Sequence, residues 1–196
     1  MSIDLWPTRE DTQKSFRIDS TDPFALQSLQ GSLQTLVEPI YHPQLHQLII
    51  LCIGTDRSTG DALGPFVGTK LCQLNPHHVF IYGTLDEPVH AVNLAQIIAT
   101  IHKQHECPFI IALDACLGRI DSVGSIDVGI GPTRPGAGVS KDLPTIGDIY
   151  INGIVNVGGF LEYFVLQNTR LNLVVNLAET IARGIYLWLQ GLPARS

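Results

Sequence analysis

The sequence predicts an α/β fold: a mainly parallel sheet covered by helices on both faces, a three-layer α/β/α sandwich. Three observations carry this. From Leu48 onward, short apolar runs alternate with longer segments of helical spacing. The runs Leu48–Ile53 and Phe109–Leu113 are apolar at every position rather than at alternate ones, as strands buried on both faces are. Each then gives way to small or acidic residues, with Asp56 and Asp61 after the first and Asp114 after the other. Open α/β sheets build their sites at such strand ends.

Taken in order, Met1–Thr21 is polar, mixed in charge and without periodicity, and reads as a mobile arm. Asp22-Pro23 looks like a helix start, with Phe24, Leu26, Leu29, Leu33, Leu36 and Val37 as an imperfect stripe weakened by Gly31. Pro39 and Pro43 end this helix, which is expected to pack outside the main sheet. Leu48–Ile53 is the first buried strand. A helix opens near Leu63, tolerates Pro65 in its first turn, and stops at Asn75-Pro76. Val79–Tyr82 is the next strand, and Glu87–His105 has helical spacing through Val89, Val92, Leu94, Ile97, Ile98 and Ile101. Phe109–Leu113 follows as a strand. Gly118–Gly147 is rich in glycine and proline, with one alternating stretch, Ser125–Ile130, that reads as a strand with a polar face. Gly131–Gly138 is a loop, Tyr150–Val155 a strand, and Phe160 to about Gln167 a helix. Leu173–Gln190 places Val174, Leu177, Ile181, Ile185 and Trp188 on one helical face, ended by Gly191 and Pro193. The expected organisation is an N-terminal arm with one helix over residues 1–47 and a single α/β domain over residues 48–196.

Composition narrows the function. The chain has 196 residues, 45% of them hydrophobic and 15% charged, which marks a globular chain. A net charge of −6 without a basic stripe argues against nucleic acid as a partner, because phosphate neutralisation dominates such binding. No apolar run reaches membrane-spanning length, and Met1–Glu10 lacks a secretory layout, so no membrane partner and a cytoplasmic location are expected. Cys52, Cys72, Cys107 and Cys116 have no CxxC spacing and read as small buried hydrophobes in a reducing compartment.

The loop Gly54–Gly64 has neither G-x-G-x-x-G spacing nor a Walker lysine, and its two aspartates would repel phosphate. Read instead as a carboxylate site, it brings Asp61 toward Asp114 if their strands are neighbours. Two close carboxyls share a proton; the protonated one donates while the ionised one takes a proton from water, which suits peptide-bond hydrolysis. Against this stands the structural reading of Asp61 as a helix cap and Asp114 as a partner of loop amides. Of the seven histidines only His90 is placed to face such a cleft, and no H-x-x-x-H spacing is present, so neither a metal site nor a cofactor is expected.

The segments Gly54–Pro65, Tyr82–Leu94, Ile111–Arg119, Gly131–Asp148 and Asn152–Arg170 resemble the small sporulation proteins of endospore-forming bacteria. Those are related to the germination protease, which degrades small acid-soluble spore proteins, and more distantly to hydrogenase maturation endopeptidases. The resemblance covers Leu48 to about Gln190. It implies a mixed sheet sandwiched by helices, a sporulation-associated peptidase, a protein or peptide substrate, and a location in the sporulating cell or spore core. The protease's D-A-L-G-P and D-A elements match Asp61–Pro65 and Asp114-Ala115, so Asp61 and Asp114 are the implied catalytic pair. Its P-G-S-G-V loop resembles Pro135–Val139, which makes Gly136 and Gly138 cleft candidates beside Asp56, His90, Asn152 and Asn156. In the hydrogenase proteases two acidic residues and a histidine bind the precursor's metal. Asn156 stands at the histidine position, and an amide is a far poorer ligand. The chain is shorter than the germination protease, and that enzyme's zymogen control is not carried over. The alternative is a non-catalytic sporulation protein that binds a peptide or partner in the same cleft.

Overall fold

The computed structural model describes residues 14–135 and 143–193. In chain order they form β1 (Ser15–Asp19), α1 (Ala25–Val37), β2 (Gln47–Cys52), α2 (Leu63–Leu74), β3 (Val79–Tyr82), α3 (Leu94–Gln104), β4 (Pro108–Gly118), β5 (Ser125–Ile130), β6 (Ile149–Val157), α4 (Glu162–Gln167) and α5 (Leu171–Gln190). The strands make one sheet in the order β1-β5-β6-β4-β2-β3. Strands β3, β2, β4 and β6 are mutually parallel, and β5 runs against both its neighbours. The sheet is therefore mainly parallel and mixed.

Side-chain alternation divides the core between the two faces. Leu48, Ile50, Cys52, Phe109, Ile111 and Leu113 point to the face covered by α1, α2 and α5. Ile49, Leu51, Ile53, Ile110 and Ala112 point to the other face, covered by Leu94 and Ile101 of α3 together with Ile146. This is the three-layer α/β/α arrangement, with strands apolar on both faces because both are covered.

Chain direction reverses beside β2. Its helix α2 lies on one face and leads outward to β3; α3 then returns on the other face to β4, on the opposite side of β2. The crevice outside the carboxyl ends of β2 and β4 is thus the switch point of the sheet, where α/β folds bind ligands.

Several elements differ from the sequence reading. Residues 15–19, expected in a mobile arm, pair with β5 as an edge strand. Only Ile18 of β1 is buried, so the strand carries no alternation to read. The first helix, expected outside the sheet, buries Leu29, Leu33, Leu36 and Val37 in the main core. Residues Glu87–Asn93 do not join α3. Val89 bridges Ile53, the His90 N–H donates to Asn93 Oδ1, and Val92, read as part of the stripe, is 83% exposed. β4 does not end at Leu113 but runs on to Gly118, paired with β6 alone. Of the cysteines, Cys52 is buried and Cys116 half-buried, whereas Cys72 and Cys107 are exposed.

Candidate active site

Asp61 and Asp114 are set by backbone constraints on the stretch after β2. β2 leaves the sheet after Cys52, while β4 continues past it, so the lane beside Asp114 falls to the β2–α2 loop. The Gly54 N–H donates to Val89 O at 2.7 Å, the Thr55 N–H to Asp61 O at 3.1 Å, and the Gly60 N–H to Leu166 O at 2.9 Å. Each end of the loop is packed against backbone. A Cβ on Gly54 would collide with the Asp61 carbonyl, and one on Gly64 with the backbone of Ile53. Leu63, two residues after Asp61, sits in the space left by Gly153 on β6.

Asp114 is 9% exposed. Burial pushes its carboxyl well above the usual carboxylate range, and the charge of Asp61 pushes it further; the Ala115 N–H, donating to Oδ1 at 2.9 Å, opposes this. Asp61 is less buried and also raised, by burial, with the Ser58 hydroxyl drawing it partly back. Burial thus favours the proton more strongly on Asp114 than on Asp61, and a proton on Asp114 removes the charge that Asp61 would otherwise face. Neither carboxyl is spent as a helix cap: the residue capping α2 is Ala62, without a side-chain hydrogen bond. The Ser58 hydroxyl is buried beside Asp61 and lacks a well-formed hydrogen bond among the described residues.

A line of polar side chains leads away from Asp114 across the sheet. Asp114 is in register with Asn152, Asn152 with Asp127, and Asp127 with Arg17. Neighbours in register share a face, and alternation against the buried Phe109, Ile111 and Leu113 puts this row on the α3 side. The Arg17 guanidinium donates to both Asp127 oxygens at 2.6 Å. Cys116 belongs to the same neighbourhood. Burial, then Asp114 and Asp127, push its thiol up to about 12, so it is protonated at neutral pH and no thiolate nucleophile.

The other sequence candidates separate. Asn152 joins the Asp114 row and accepts from the Thr133 hydroxyl at 3.0 Å. Asn156 serves as a brace: its amide donates to Val165 O and Thr169 Oγ1, tying α4 to β6. His90 lines a cavity of about 490 Å³ beside β3, with Tyr82, Thr84, Glu87 and Asn93, and its Nδ1 accepts from the Val92 N–H. Asp56 is exposed at the loop tip. Gly136 and Gly138 lie outside the described residues. Among the described residues no three His, Cys, Asp or Glu side chains converge as a metal site would require. No helix there is long and apolar enough to cross a membrane. Sequence reasoning missed Ser58, Thr133 and the Arg17–Asp127 pair. The polar face read in Ser125–Ile130 was the signal for Asp127; Ser58 and Thr133 gave none.

Comparison with known proteins gives three findings. A family described as "Protein of unknown function (DUF1256)" matches residues 17–184. The chain is 63% identical over 140 residues to a protein of Bacillus subtilis (strain 168) named "Uncharacterized protein YyaC", covering 71% of this chain and 68% of that one. It is also similar to the crystal structure of a NiFe hydrogenase maturation protease HycI from Thermococcus kodakarensis KOD1. That similarity has a TM-score of 0.47 and 18% identity, and covers 74% of this chain and 93% of the other.

Proposed function

The chain belongs to the DUF1256 family, and we propose that it is a peptidase-like hydrolase that cleaves a protein substrate with Asp61 and Asp114 as its acid–base pair. The observation that carries this reading is the placement of Asp114: a buried carboxyl at the switch point of the sheet, where burial and the charge of the more exposed Asp61 both favour its protonated form. Pairs of titratable groups whose surroundings push them apart are how one site holds an acid and a base at once.

In this reading ionised Asp61 takes a proton from a water molecule as its oxygen bonds to the scissile carbonyl carbon. Asp114 gives its proton to the carbonyl oxygen, leaving a neutral gem-diol. Asp61 then protonates the amide nitrogen and Asp114 recovers a proton from the gem-diol. The C–N bond breaks, and an amine and a carboxylic acid leave. The pair ends with one proton, as it began.

The resemblance of Asp61–Pro65 and Asp114-Ala115 to the germination protease's elements supports peptide bonds as the target. The relative in an endospore former supports a spore or sporulation protein as substrate, and the cytoplasm of the sporulating cell or the spore core as location. Neither nucleic acid nor membrane is part of the proposal. The test is incubation of the purified chain with the acid-soluble protein fraction of spores, read by mass spectrometry. Asp61→Asn and Asp114→Asn are expected to abolish cleavage with the fold retained. Cleavage at the wild-type rate by both variants overturns the reading. A partner captured equally by wild type and both variants, with no cleavage in any sample, favours the non-catalytic alternative.

A further inference from the structure

Asn152 is the nearest polar neighbour of Asp114 in the sheet, one strand away and in register. Cross-strand partners on one face stand about 5 Å apart. The two side chains nevertheless do not bond to each other: Asp114 Oδ1 accepts from the Ala115 N–H, and Asn152 Oδ1 from the Thr133 hydroxyl. That second bond fixes the amide. With Oδ1 occupied by Thr133, Nδ2 carries two N–H donors, and among the described residues they donate to nothing. Thr133 is itself rigid. It is 3% exposed, and its backbone N–H and C=O both bond to Ile146, at 3.0 and 3.3 Å. A buried hydroxyl is thus spent on orienting an amide whose donors are left unused beside the acid of the proposed pair. The Asn152 side chain is only half-buried and its Nδ2 is not among the buried atoms without a partner, so the two donors face open space that a substrate can enter.

We infer that the Asn152 side-chain NH₂ donates a hydrogen bond to the oxygen of the scissile carbonyl, with Thr133 as the residue that positions it. The inference rests on the aspartate reading above. In that scheme negative charge gathers on the carbonyl oxygen before Asp114 delivers its proton, and a fixed amide donor stabilises that charge without reorganising. The bond strengthens as charge builds, so its loss falls on kcat more than on KM.

The experiment measures kinetics on the fastest-cleaved peptide from the acid-soluble spore fraction. Asn152→Leu is expected to lower kcat by about 10²–10³-fold with KM changed by less than about threefold. Thr133→Val is expected to lose about tenfold, and Thr133→Ser, which keeps the hydroxyl, to restore the rate. Asn152→Ser is the second variant should Asn152→Leu not fold, with the same expected loss. An Asn152 variant that folds and keeps kcat within about threefold of wild type, while Asp114→Asn is inactive, overturns the inference and leaves the aspartate reading standing. Should Asp114→Asn cleave as wild type does, or wild type not cleave, the aspartate reading falls and takes this inference with it.

Discussion

Asp114 makes the folded chain pay for its site, and the sign of that cost can be worked out. Its folded pKa lies above the unfolded value of about 3.9. Between those two values the native state holds a proton that the unfolded chain has released. Stability from this group is therefore greatest at low pH, falls as pH rises through that window, and levels off above the folded pKa. Replacing Asp114 by Asn removes the charge that has no good home. Asp114→Asn is expected to raise Tm near neutral pH and to flatten the decline in stability that sets in above about pH 4, the unfolded value of the group. Differential scanning calorimetry across that range decides it; a variant less stable than wild type near neutrality contradicts the assignment of Asp114 as a group held protonated by burial. A variant at once more stable and inactive is what a functional carboxyl produces and a structural one does not.

Between β2 and α2 the constraint is one of backbone against backbone. Gly64 at the start of α2 lies against Ile53, and Gly31 in α1 has nothing near the place of its missing Cβ. The same substitution should therefore have opposite signs at the two positions. Gly64→Ala is expected to cost more than about 2 kcal/mol, as forced backbone shifts do, whereas Gly31→Ala gains about 0.5–1 kcal/mol from helix propensity. Urea unfolding of both variants checks this, and a neutral Gly64→Ala would mean that the Asp61 loop tolerates displacement. These contacts also explain what the sequence disclosed. The bounds of α2, β3 and β5 were legible because their signals are local: Asn75 in a left-handed conformation ends α2, and Ile126, Val128 and Ile130 alternate cleanly. The start of α3 was not, because Val89 is diverted into a bridge with a residue far away in sequence. Asp114 looked like the end of a strand because a buried carboxyl gives no local sign of continuing pairing. Its pairing to Asn152 comes from a strand nearly forty residues on.

On the scale of the molecule, the N-terminal segment belongs to the same packed unit as the site. Leu29 fills the space left by Gly184 on α5, and Leu33 and Leu36 are fully buried in the main core. The Arg17–Asp127 pair at the sheet edge is by contrast a surface contact, with the arginine side chain 57% exposed. Leu33→Ala is expected to cost about 2–5 kcal/mol and Arg17→Ala no more than about 1 kcal/mol. Chemical denaturation of the two variants gives the comparison, and equal small losses would mean that α1 is a detachable arm after all. The row Arg17, Asp127, Asn152 and Asp114 has one more consequence, for folding rather than catalysis. Side chains alternate between faces along each strand, so a slip of β5 by one residue would carry Asp127 to the face where Ile126 and Val128 now sit. A carboxylate forced into that core without a partner costs several kcal/mol. The polar row thus works as a parity check on strand pairing: a misregistered sheet fails it before any substrate arrives.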